Sequence, residues 1–179
     1  MLLLSEADLR RCVRMPAAIE AIEAAFAALH RGAATLPPPV GLDIDAVRGE
    51  VHVKGAHLHG AESFAFKIAS GFYDNPERGL PSGSGLMMVF DAETGFPQAL
   101  LLDNSWLTDV RTGAAGGVAA RYLAPERPET VLMVGAGVQA GMQLTALAAV
   151  RPLTRVELWN HRPERARRAR HPGPRARTP

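Results

Sequence analysis

The N-terminal part of the chain combines a short apolar run with a longer helical period. Residues 1–4 predict a short strand, and the S-E-A-D stretch that begins at Ser5 predicts a capped short helix. Apolar residues then recur three and four positions apart between Pro16 and Gly32, which predicts an amphipathic helix bounded by the proline and the glycine. The apolar positions of this helix are Ile19, Ile22, Phe26 and Leu29.

Alternation of apolar and polar residues replaces the helical period between residues 50 and 72, as in V-H-V-K and S-F-A-F-K-I. Such alternation predicts two strands of a mixed or antiparallel sheet. Two further strands are predicted in S-G-S-G-L-M-M-V-F and F-P-Q-A-L-L-L, joined by a D-A-E-T-G turn in which Gly95 suits a hairpin. The proline-rich stretch 36–41 cannot form a helix and predicts an extended linker.

Small residues dominate residues 108–123, where a helix is predicted with Thr108 as its N-terminal cap. A helix with so little side chain can lie very close to another backbone or to a ligand. The A-P-E-R-P stretch then ends the helix, and we place a domain boundary at residues 125–129. Four apolar residues at 131–134, a glycine turn, a small-residue helix and R-V-E-L-W-N follow, which is the order of a β-α-β unit with parallel strands.

The predicted fold class is therefore α/β. Residues 1–127 are expected to form an N-terminal α/β domain, and residues 128–166 the first β-α-β part of a Rossmann domain, an incomplete doubly wound parallel sheet. Residues 167–179 are rich in arginine and proline and are expected to be a disordered tail. Such a mixture is also what a GC-rich gene yields when it is translated out of frame, so we expect the fold to stop near Arg167.

Composition narrows the classes of function. The chain is 47% hydrophobic and 21% charged, which excludes wholesale disorder. From Arg162 onward seven arginines accompany one acid, whereas acids outnumber bases in the rest of the chain, so we expect no nucleic-acid surface. The single cysteine, Cys12, excludes an internal disulfide and is expected to be half-buried. The lack of a long apolar run or signal peptide favours a cytoplasmic protein without a membrane partner.

The stretch G-A-G-V-Q-A at residues 135–140 fits the dinucleotide-binding pattern G-x-G-x-x-G/A, between a predicted strand and a predicted helix. Gly135 permits the tight turn, and Gly137 lets the backbone approach a pyrophosphate. The N-terminus of the following helix would present free N–H groups to the phosphates. The alternative is a glycine turn of an α/β fold that binds no ligand.

The residues that end the second parallel strand bear on the choice of cofactor. An acid there would bind the ribose 2′-hydroxyl of NAD, but the chain has Asn160, His161 and Arg162. A cation in place of an acid favours a 2′-phosphate, so NADP is preferred over NAD. Glu157 lies within the strand and is a weaker candidate for an NAD-type contact.

Two cations occupy unusual positions in the sequence. Lys67 lies in the apolar stretch F-A-F-K-I, so it either lies on a solvated face or binds an anion in a pocket. Arg111 lies among small residues, where it could hold a carboxylate through two hydrogen bonds, the alternative being a surface arginine. His52, His57 and His59 suggest a metal cluster, but no acid occupies a third-ligand position and we expect no metal site.

Several of these stretches occur together in one known family. F-A-F-K-I-A-S-G-F-Y-D-N-P-E-R-G-L-P-S, the D-A-E-T-G hairpin, L-T-D-V-R-T-G-A-A-G-G and V-G-A-G-V-Q-A resemble the ornithine cyclodeaminase/μ-crystallin family in order and spacing. The resemblance covers nearly all of residues 1–162, and D-N-P-E-R-G-L-P-S is most similar to the ectoine-utilisation subgroup. It implies a homodimer whose N-terminal domain dimerises and binds the substrate, beside a Rossmann domain.

The resemblance also implies a reaction, which is hydride transfer between NAD(P) and the α-carbon of an amino acid or cyclic imino acid. This would be either cyclodeamination with release of ammonia or reduction of a ketimine or pyrroline carboxylate. It implies substrate-binding roles for Lys67, Arg111 and Ser82, with Lys67 also the candidate catalytic residue. The candidate cofactor contacts are Thr112, Gly135, Gly137, Val138, Gln139, Asn160, His161 and Arg162.

Two features depart from the family pattern. The stretch L-P-P-P-V-G-L-D-I-D lacks an arginine that often assists carboxylate binding. Family members also continue beyond this point with the rest of the Rossmann sheet and an aspartate that acts as acid or base, so the chain is expected to be C-terminally truncated and inactive. A non-catalytic, μ-crystallin-like protein that binds a small molecule is the alternative.

Overall fold

The computed structural model describes residues 1–128, 130–164 and 166; the predicted disordered tail, residues 167–179, lies outside them. The helices are α1 (Glu6–Cys12), α2 (Met15–His30), α3 (Trp106–Leu123) and α4 (Val138–Val150). The strands are β1 (Leu2–Ser5), β2 (Ala34–Thr35), β3 (Val40–Ile44), β4 (Gly49–Leu58), β5 (Ser63–Phe72), β6 (Gly83–Asp91), β7 (Pro97–Leu102), β8 (Thr130–Val134) and β9 (Arg155–Trp159). Within the described ranges, no helix has both the length and the apolar character needed to cross a bilayer.

The N-terminal helices form where the sequence predicts them. Ser5 and Asp8 make the capping box: the Ser5 side chain accepts a hydrogen bond from the Asp8 N–H at 3.3 Å, and the Asp8 carboxylate accepts one from the Ser5 N–H at 2.9 Å. After α2, Gly32 takes a φ of +68°. The prediction that Cys12 is half-buried was wrong. It is exposed because it ends a short helix whose buried residue is Leu9.

A mixed sheet forms most of the N-terminal part, in the order β1-β7-β6-β5-β4-β2, with β3 paired to β4. β1 and β7 run parallel, whereas β4, β5, β6 and β7 pair with one another antiparallel, which confirms the strands predicted from alternation. The predicted linker at residues 36–41 was wrong at its end, since Val40 and Gly41 begin β3 and pair with β4. The preceding prolines lack N–H groups, whereas Val40 and Gly41 have them and can therefore pair in a sheet.

Helices cover one face of this sheet. On that face Leu4 and Leu101 of the sheet pack against a core cluster formed by Leu9 of α1 and by Trp106 and Val110 of α3. A second cluster joins the helices to one another and consists of Ile19, Ala114 and Ala146, each 0% exposed. The core clusters therefore hold α3 against α2 and α4 and against the β1–β7 side of the sheet.

The opposite face of the sheet, here called the open face, is apolar. Register and alternation assign to it Leu3, Val40, Leu42, Phe64, Phe66, Met88 and Phe90. The rings of Phe64 and Phe90 stack with their centroids 5.1 Å apart. At its margins Leu3 and Leu42 are 62% and 60% exposed, so this face leaves a large apolar surface in contact with water.

α3 lies very close to α2 and α4 because its small residues face them. A Cβ placed on Gly113 would lie 2.9 Å from the backbone oxygen of Met142 in α4. One placed on Gly117 would lie 2.8 Å from Cδ1 of Ile19 in α2. These distances confirm the predicted close approach of a helix with little side chain.

The start of α3 differs from the prediction. Thr108 was predicted to cap the helix, but α3 begins at Trp106 after Ser105, whose φ is +67°. The carboxylate of Asp103 accepts a hydrogen bond from the Leu107 N–H at 2.9 Å and so supplies the cap from further upstream. The Thr108 hydroxyl is thereby left free to face the sheet.

β8, α4 and β9 form the predicted β-α-β unit with parallel strands, in which Val134 pairs with Trp159. Both of these side chains are exposed, at 66% and 57%. The domain boundary predicted at residues 125–129 falls in the connection between α3 and β8, and it stays a prediction.

Arg151 follows α4 and joins this unit to the end of α3. Its guanidinium donates hydrogen bonds to the carbonyl oxygens of Arg121 at 2.5 Å, Pro125 at 3.0 Å and Ala124 at 3.3 Å. These carbonyls belong to the last turn of α3 and the residues after it, where backbone acceptors have no partner within the helix. One side chain therefore satisfies several carbonyls that the helix leaves open.

Candidate functional site

Lys67 lies near the middle of β5, on the sheet face that the helices cover. It pairs with Met87 of β6, which pairs with Leu101 of β7, and Leu101 packs in the core cluster beneath α3. Directly opposed residues of antiparallel strands share one face. The Lys67 Nζ donates a hydrogen bond to the Thr108 hydroxyl of α3 at 3.3 Å. Lys67 is half-buried, which argues against the alternative of a solvated face.

The environment of Lys67 disfavours its positive charge. Burial lowers the pKa of Lys67 most, the positive charges of Arg111 and Lys54 lower it further, and the negative charge of Asp103 opposes these effects. An ammonium group in such a position gains from a bound anion. The charges and the burial around Lys67 therefore favour the binding of an anion.

Arg111 lies one turn beyond Thr108 on α3, exposed and close enough to lower the pKa of Lys67 after the effect of burial. Neither Lys67 nor Arg111 takes part in any ion pair found within the described residues. The structure thus brings together the two cations that the sequence singles out, and it leaves both available to one carboxylate.

Asp103 lies beneath this pair and was not predicted from the sequence. It is 1% exposed, and its carboxylate accepts the Leu107 N–H bond that caps α3. Burial raises the pKa of Asp103, while hydrogen bonds from the Leu107, Ser105 and Asp103 backbone N–H groups, and then the charge of Lys67, oppose that rise. Asp103 thus fixes the start of the helix that carries Thr108 and Arg111.

The glycine turn follows β8 and leads into α4. Gly135 takes a φ of +112° and donates its N–H to the Trp159 carbonyl at 2.8 Å, which holds the turn against β9. A Cβ on Gly135 or Gly137 would meet nothing within 4 Å, so the turn faces open space. Gly137 caps α4 without a side-chain hydrogen bond, and Val138 is 53% exposed. Open space at an uncapped helix N-terminus fits a pyrophosphate.

Gln139 connects this turn to α3. Its Nε2 donates to the Asp109 carboxylate at 2.8 Å and approaches the Asp109 carbonyl at 3.5 Å. Its Oε1 is buried and has no hydrogen-bond partner among the described residues. Thr112 continues the same contact zone, because its carbonyl accepts a hydrogen bond from Gln143 of α4 at 3.1 Å and its hydroxyl donates to the Thr108 carbonyl at 2.7 Å.

The end of β9 forms a compact turn. The Asn160 side-chain oxygen accepts the Arg162 N–H at 2.8 Å, and His161 and Arg162 are exposed. Glu157, the weaker candidate for an NAD-type contact, makes a 2.6 Å ion pair with Arg155 within the strand. Asn160, His161 and Arg162 follow the carboxyl end of β9, which runs parallel to β8. Open α/β sheets bind the adenosine half of a dinucleotide at such a position.

Other predicted residues lie away from Lys67. Ser82 is exposed just before β6, where its carbonyl accepts the Phe72 N–H at 2.7 Å, and its role stays a prediction. His57 bonds to the Ala61 carbonyl and His59 to Thr35. Within the described ranges, no three His, Cys, Asp or Glu side chains are grouped so that they could hold a metal.

Asp109, Asp103 and Lys54 are the residues of this site that sequence reasoning missed. Asp109 and Asp103 could have been suspected as acids at the start of a helix otherwise rich in small residues. Lys54 belongs to the alternating V-H-V-K stretch of β4. Its position opposite Lys67 depends on strand register, which the sequence pattern does not determine.

Several known proteins are similar to this chain in sequence and fold. An uncharacterized cyclodeaminase of Sinorhizobium fredii is 47% identical over 161 residues, which cover 89% of this chain and 49% of that protein. The structure of Thermococcus litoralis delta(1)-pyrroline-2-carboxylate reductase with NADH and L-proline is 35% identical with a TM-score of 0.88, over 94% of this chain and 52% of that one. An archaeal alanine dehydrogenase dimer with bound NAD is 34% identical with a TM-score of 0.87, over 94% and 51%.

The chain therefore spans about half the length of the relatives it matches. The family model that matches it extends over residues 1–172, which include both Lys67 with Arg111 and the glycine turn with Gln139. On the strength of that match, the chain belongs to the ornithine cyclodeaminase/mu-crystallin family.

Proposed function

We propose that this protein takes part in hydride transfer between a nicotinamide dinucleotide and the α-carbon of an amino acid or cyclic imino acid. The reaction is cyclodeamination with release of ammonia, or reduction of a ketimine or pyrroline carboxylate. The observation that carries the proposal is that Lys67 and Arg111 lie close together and that neither forms an ion pair among the described residues. Both lie at α3, the helix that contacts the residues after the glycine turn through Gln139. The Thermococcus litoralis relative holds NADH and L-proline, which supports the same assignment here.

In this proposal Lys67 and Arg111 bind the substrate carboxylate and orient the α-carbon. Because burial, Arg111 and Lys54 all lower the pKa of Lys67, its Nζ can also hold or release a proton near the α-nitrogen, which is its proposed catalytic role. Ser82 is proposed as a further substrate contact. When bound, the nicotinamide would accept or donate the hydride.

The glycine turn and Gln139 are proposed to hold the dinucleotide, with Thr112 on the facing helix. NADP remains preferred over NAD, because the turn after β9 offers Arg162 and no acid where a ribose 2′-hydroxyl would bind. The structures of relatives contain NAD or NADH, so NAD is the alternative. Equal affinity of the chain for NADPH and NADH would remove the preference.

A homodimer is proposed on the basis of the open face. Apolar surface of this extent is costly in water, and Leu3, Val40 and Leu42 are each at least 60% exposed. A second copy that covers it would bury a symmetric interface. The archaeal alanine dehydrogenase relative is a dimer. A cytoplasmic location stays a prediction.

In the 179-residue chain, we expect substrate binding and catalytic turnover to depend on different parts of the sequence. The carboxylate site is made by Lys67 and Arg111 within residues 1–127, whereas Val134 and Trp159 of β8 and β9 remain exposed beside the cofactor turn. We expect this chain to bind carboxylates without hydride transfer. The same observation favours the second candidate function, a non-catalytic protein of the μ-crystallin type that binds a small molecule.

Isothermal titration of the chain with L-proline, and with L-prolinamide as the matched ligand without a carboxylate, tests the proposal. We expect L-proline to bind and L-prolinamide to bind at least tenfold more weakly, since a charge-assisted hydrogen bond contributes about 1.5–3 kcal/mol. Lys67→Gln and Arg111→Gln should each abolish the difference. Equal affinity for both ligands, or binding unaffected by both substitutions, would contradict the proposal. Reduction of NADP by L-proline in the presence of this chain would show turnover, and it would contradict both the expected binding without hydride transfer and the non-catalytic candidate.

A further inference from the structure

The chain has two lysines, Lys54 and Lys67, among its 20 basic residues, and all other basic residues are arginines. These two lysines lie directly opposite each other on neighbouring strands, β4 and β5. Directly opposed residues of an antiparallel pair have Cβ atoms about 4.5–5.5 Å apart and share one face of the sheet. Lys54 therefore lies on the same face as the carboxylate site.

This arrangement is unfavourable unless an anion relieves it. Like charges directly opposite each other destabilise an antiparallel pair. After burial and the effect of Arg111, the charge of Lys54 is a further cause that lowers the pKa of Lys67, so the two ammonium groups interact. Lys54 is absent from every ion pair made by the residues that the structure describes.

The acid on the same face of β4 is already engaged. Glu50 lies four residues before Lys54, so alternation places both on one face. Its carboxylate accepts a 2.6 Å hydrogen bond from the Tyr73 hydroxyl and lies 3.5 Å from His52. The negative charge of Asp103 acts on Lys67 from beneath and is buried there. Lys54 thus remains an exposed cation at the outer side of the site.

We infer that Lys54 is a specificity-determining residue that binds a second anionic group, so that the substrate is an amino or imino acid with a side-chain carboxylate. This inference rests on the proposed function, in which Lys67 and Arg111 hold the α-carboxylate. One carboxylate shared by those two cations leaves Lys54 without a counter-charge, and a side-chain carboxylate supplies it. The same positive charge repels the side-chain ammonium of a diamino acid and disfavours it as substrate.

Isothermal titration of the 179-residue chain with L-aspartate and L-asparagine tests the inference, because these ligands match in size and differ in side-chain charge. An exposed ion pair contributes about 0.2–1 kcal/mol, so we expect L-aspartate to bind up to about fivefold more tightly at low salt, with the ratio shrinking as salt rises. Lys54→Gln should remove the preference, whereas Lys54→Arg, the matched variant that keeps the charge, should retain it. L-Ornithine should bind more weakly than L-asparagine to the wild-type chain and equally to Lys54→Gln.

The outcomes separate this inference from the proposed function. Tight binding of L-asparagine without preference for L-aspartate, or a preference that survives Lys54→Gln, would overturn the role of Lys54 and leave the carboxylate site standing. Binding of neither ligand, or binding that Lys67→Gln leaves unchanged, would overturn both. Circular dichroism of Lys54→Gln should show an intact fold, because the substitution removes repulsion between opposed cations.

Discussion

The close contact between α3 and α4 holds the proposed carboxylate site beside the glycine turn. The addition of one methyl group to α3 tests that contact. In Gly113→Ala the new Cβ would lie 2.9 Å from both the Met142 backbone oxygen and its Cβ. The backbone of α4 would have to move, and overpacking of this kind costs about 1–3 kcal/mol. Alanine regains up to about 1 kcal/mol of helix propensity over glycine. We expect a net loss of about 1 kcal/mol in the free energy of unfolding.

Gly141→Ala is the matched control, because Gly141 lies inside α4 and a Cβ there would meet nothing within 4 Å. Only the helix-propensity gain remains, so this variant should be more stable than wild type by about 0.5–1 kcal/mol. Urea denaturation followed by circular dichroism measures both changes. The two identical substitutions should therefore have opposite signs. Equal stabilisation by both would refute the close approach of α3 and α4 at Gly113.

Three further predictions concern single contacts. Arg151→Ala should lower the free energy of unfolding by about 2 kcal/mol, because several carbonyls lose a charged donor. Arg155→Ala, the control, removes an exposed ion pair and should lower it by less than about 0.5 kcal/mol, and urea denaturation measures both changes. Asp109→Ala should lower the free energy of unfolding by about 1–2 kcal/mol, because the Gln139 Nε2 loses its acceptor, and Asp109→Asn should lose less in the same assay. Equal losses from the two substitutions would contradict the contact between Asp109 and Gln139. Binding of cyclopentanecarboxylate, measured by titration at rising pH, should weaken as the pH passes the pKa of Lys67, which lies below its ordinary 10.5, because only the protonated amine attracts the anion. Lys67→Arg should move this loss of binding to higher pH. A pH profile that Lys67→Arg leaves unchanged would contradict the assignment.

The sequence predicted those elements whose signals are local. Alternation around Lys67 predicted β5, the capping box predicted α1, and the glycine turn at Gly135 predicted a β-α-β unit, since each depends on neighbouring residues. β3 was missed in part because its pairing with β4 overrides the preceding prolines. Propensity rules cannot contain such long-range pairing.

The candidate site was predictable only in part for the same reason. Lys67 and Arg111 were suspected because a cation among apolar or small residues is unusual in a sequence. Lys54 and Asp109 depend on strand register and on the packing of one helix against another, and neither is encoded within a short window. The sequence shows Asp103 as an acid before a small-residue helix, but it does not predict the burial of Asp103 or its bond to the Leu107 N–H.

The central claim is that Lys67 binds a carboxylate, and the lysine content of the chain allows a direct measurement. Isotope labelling at lysine Cε should give one NMR signal for each of the two lysines, and Lys67→Arg assigns them. In the free chain the Lys67 pKa should lie below 10.5, and cyclopentanecarboxylate should raise it, whereas the uncharged cyclopentanecarboxamide should not. A Lys67 pKa that cyclopentanecarboxylate leaves unchanged, or that both ligands raise equally, would contradict the account.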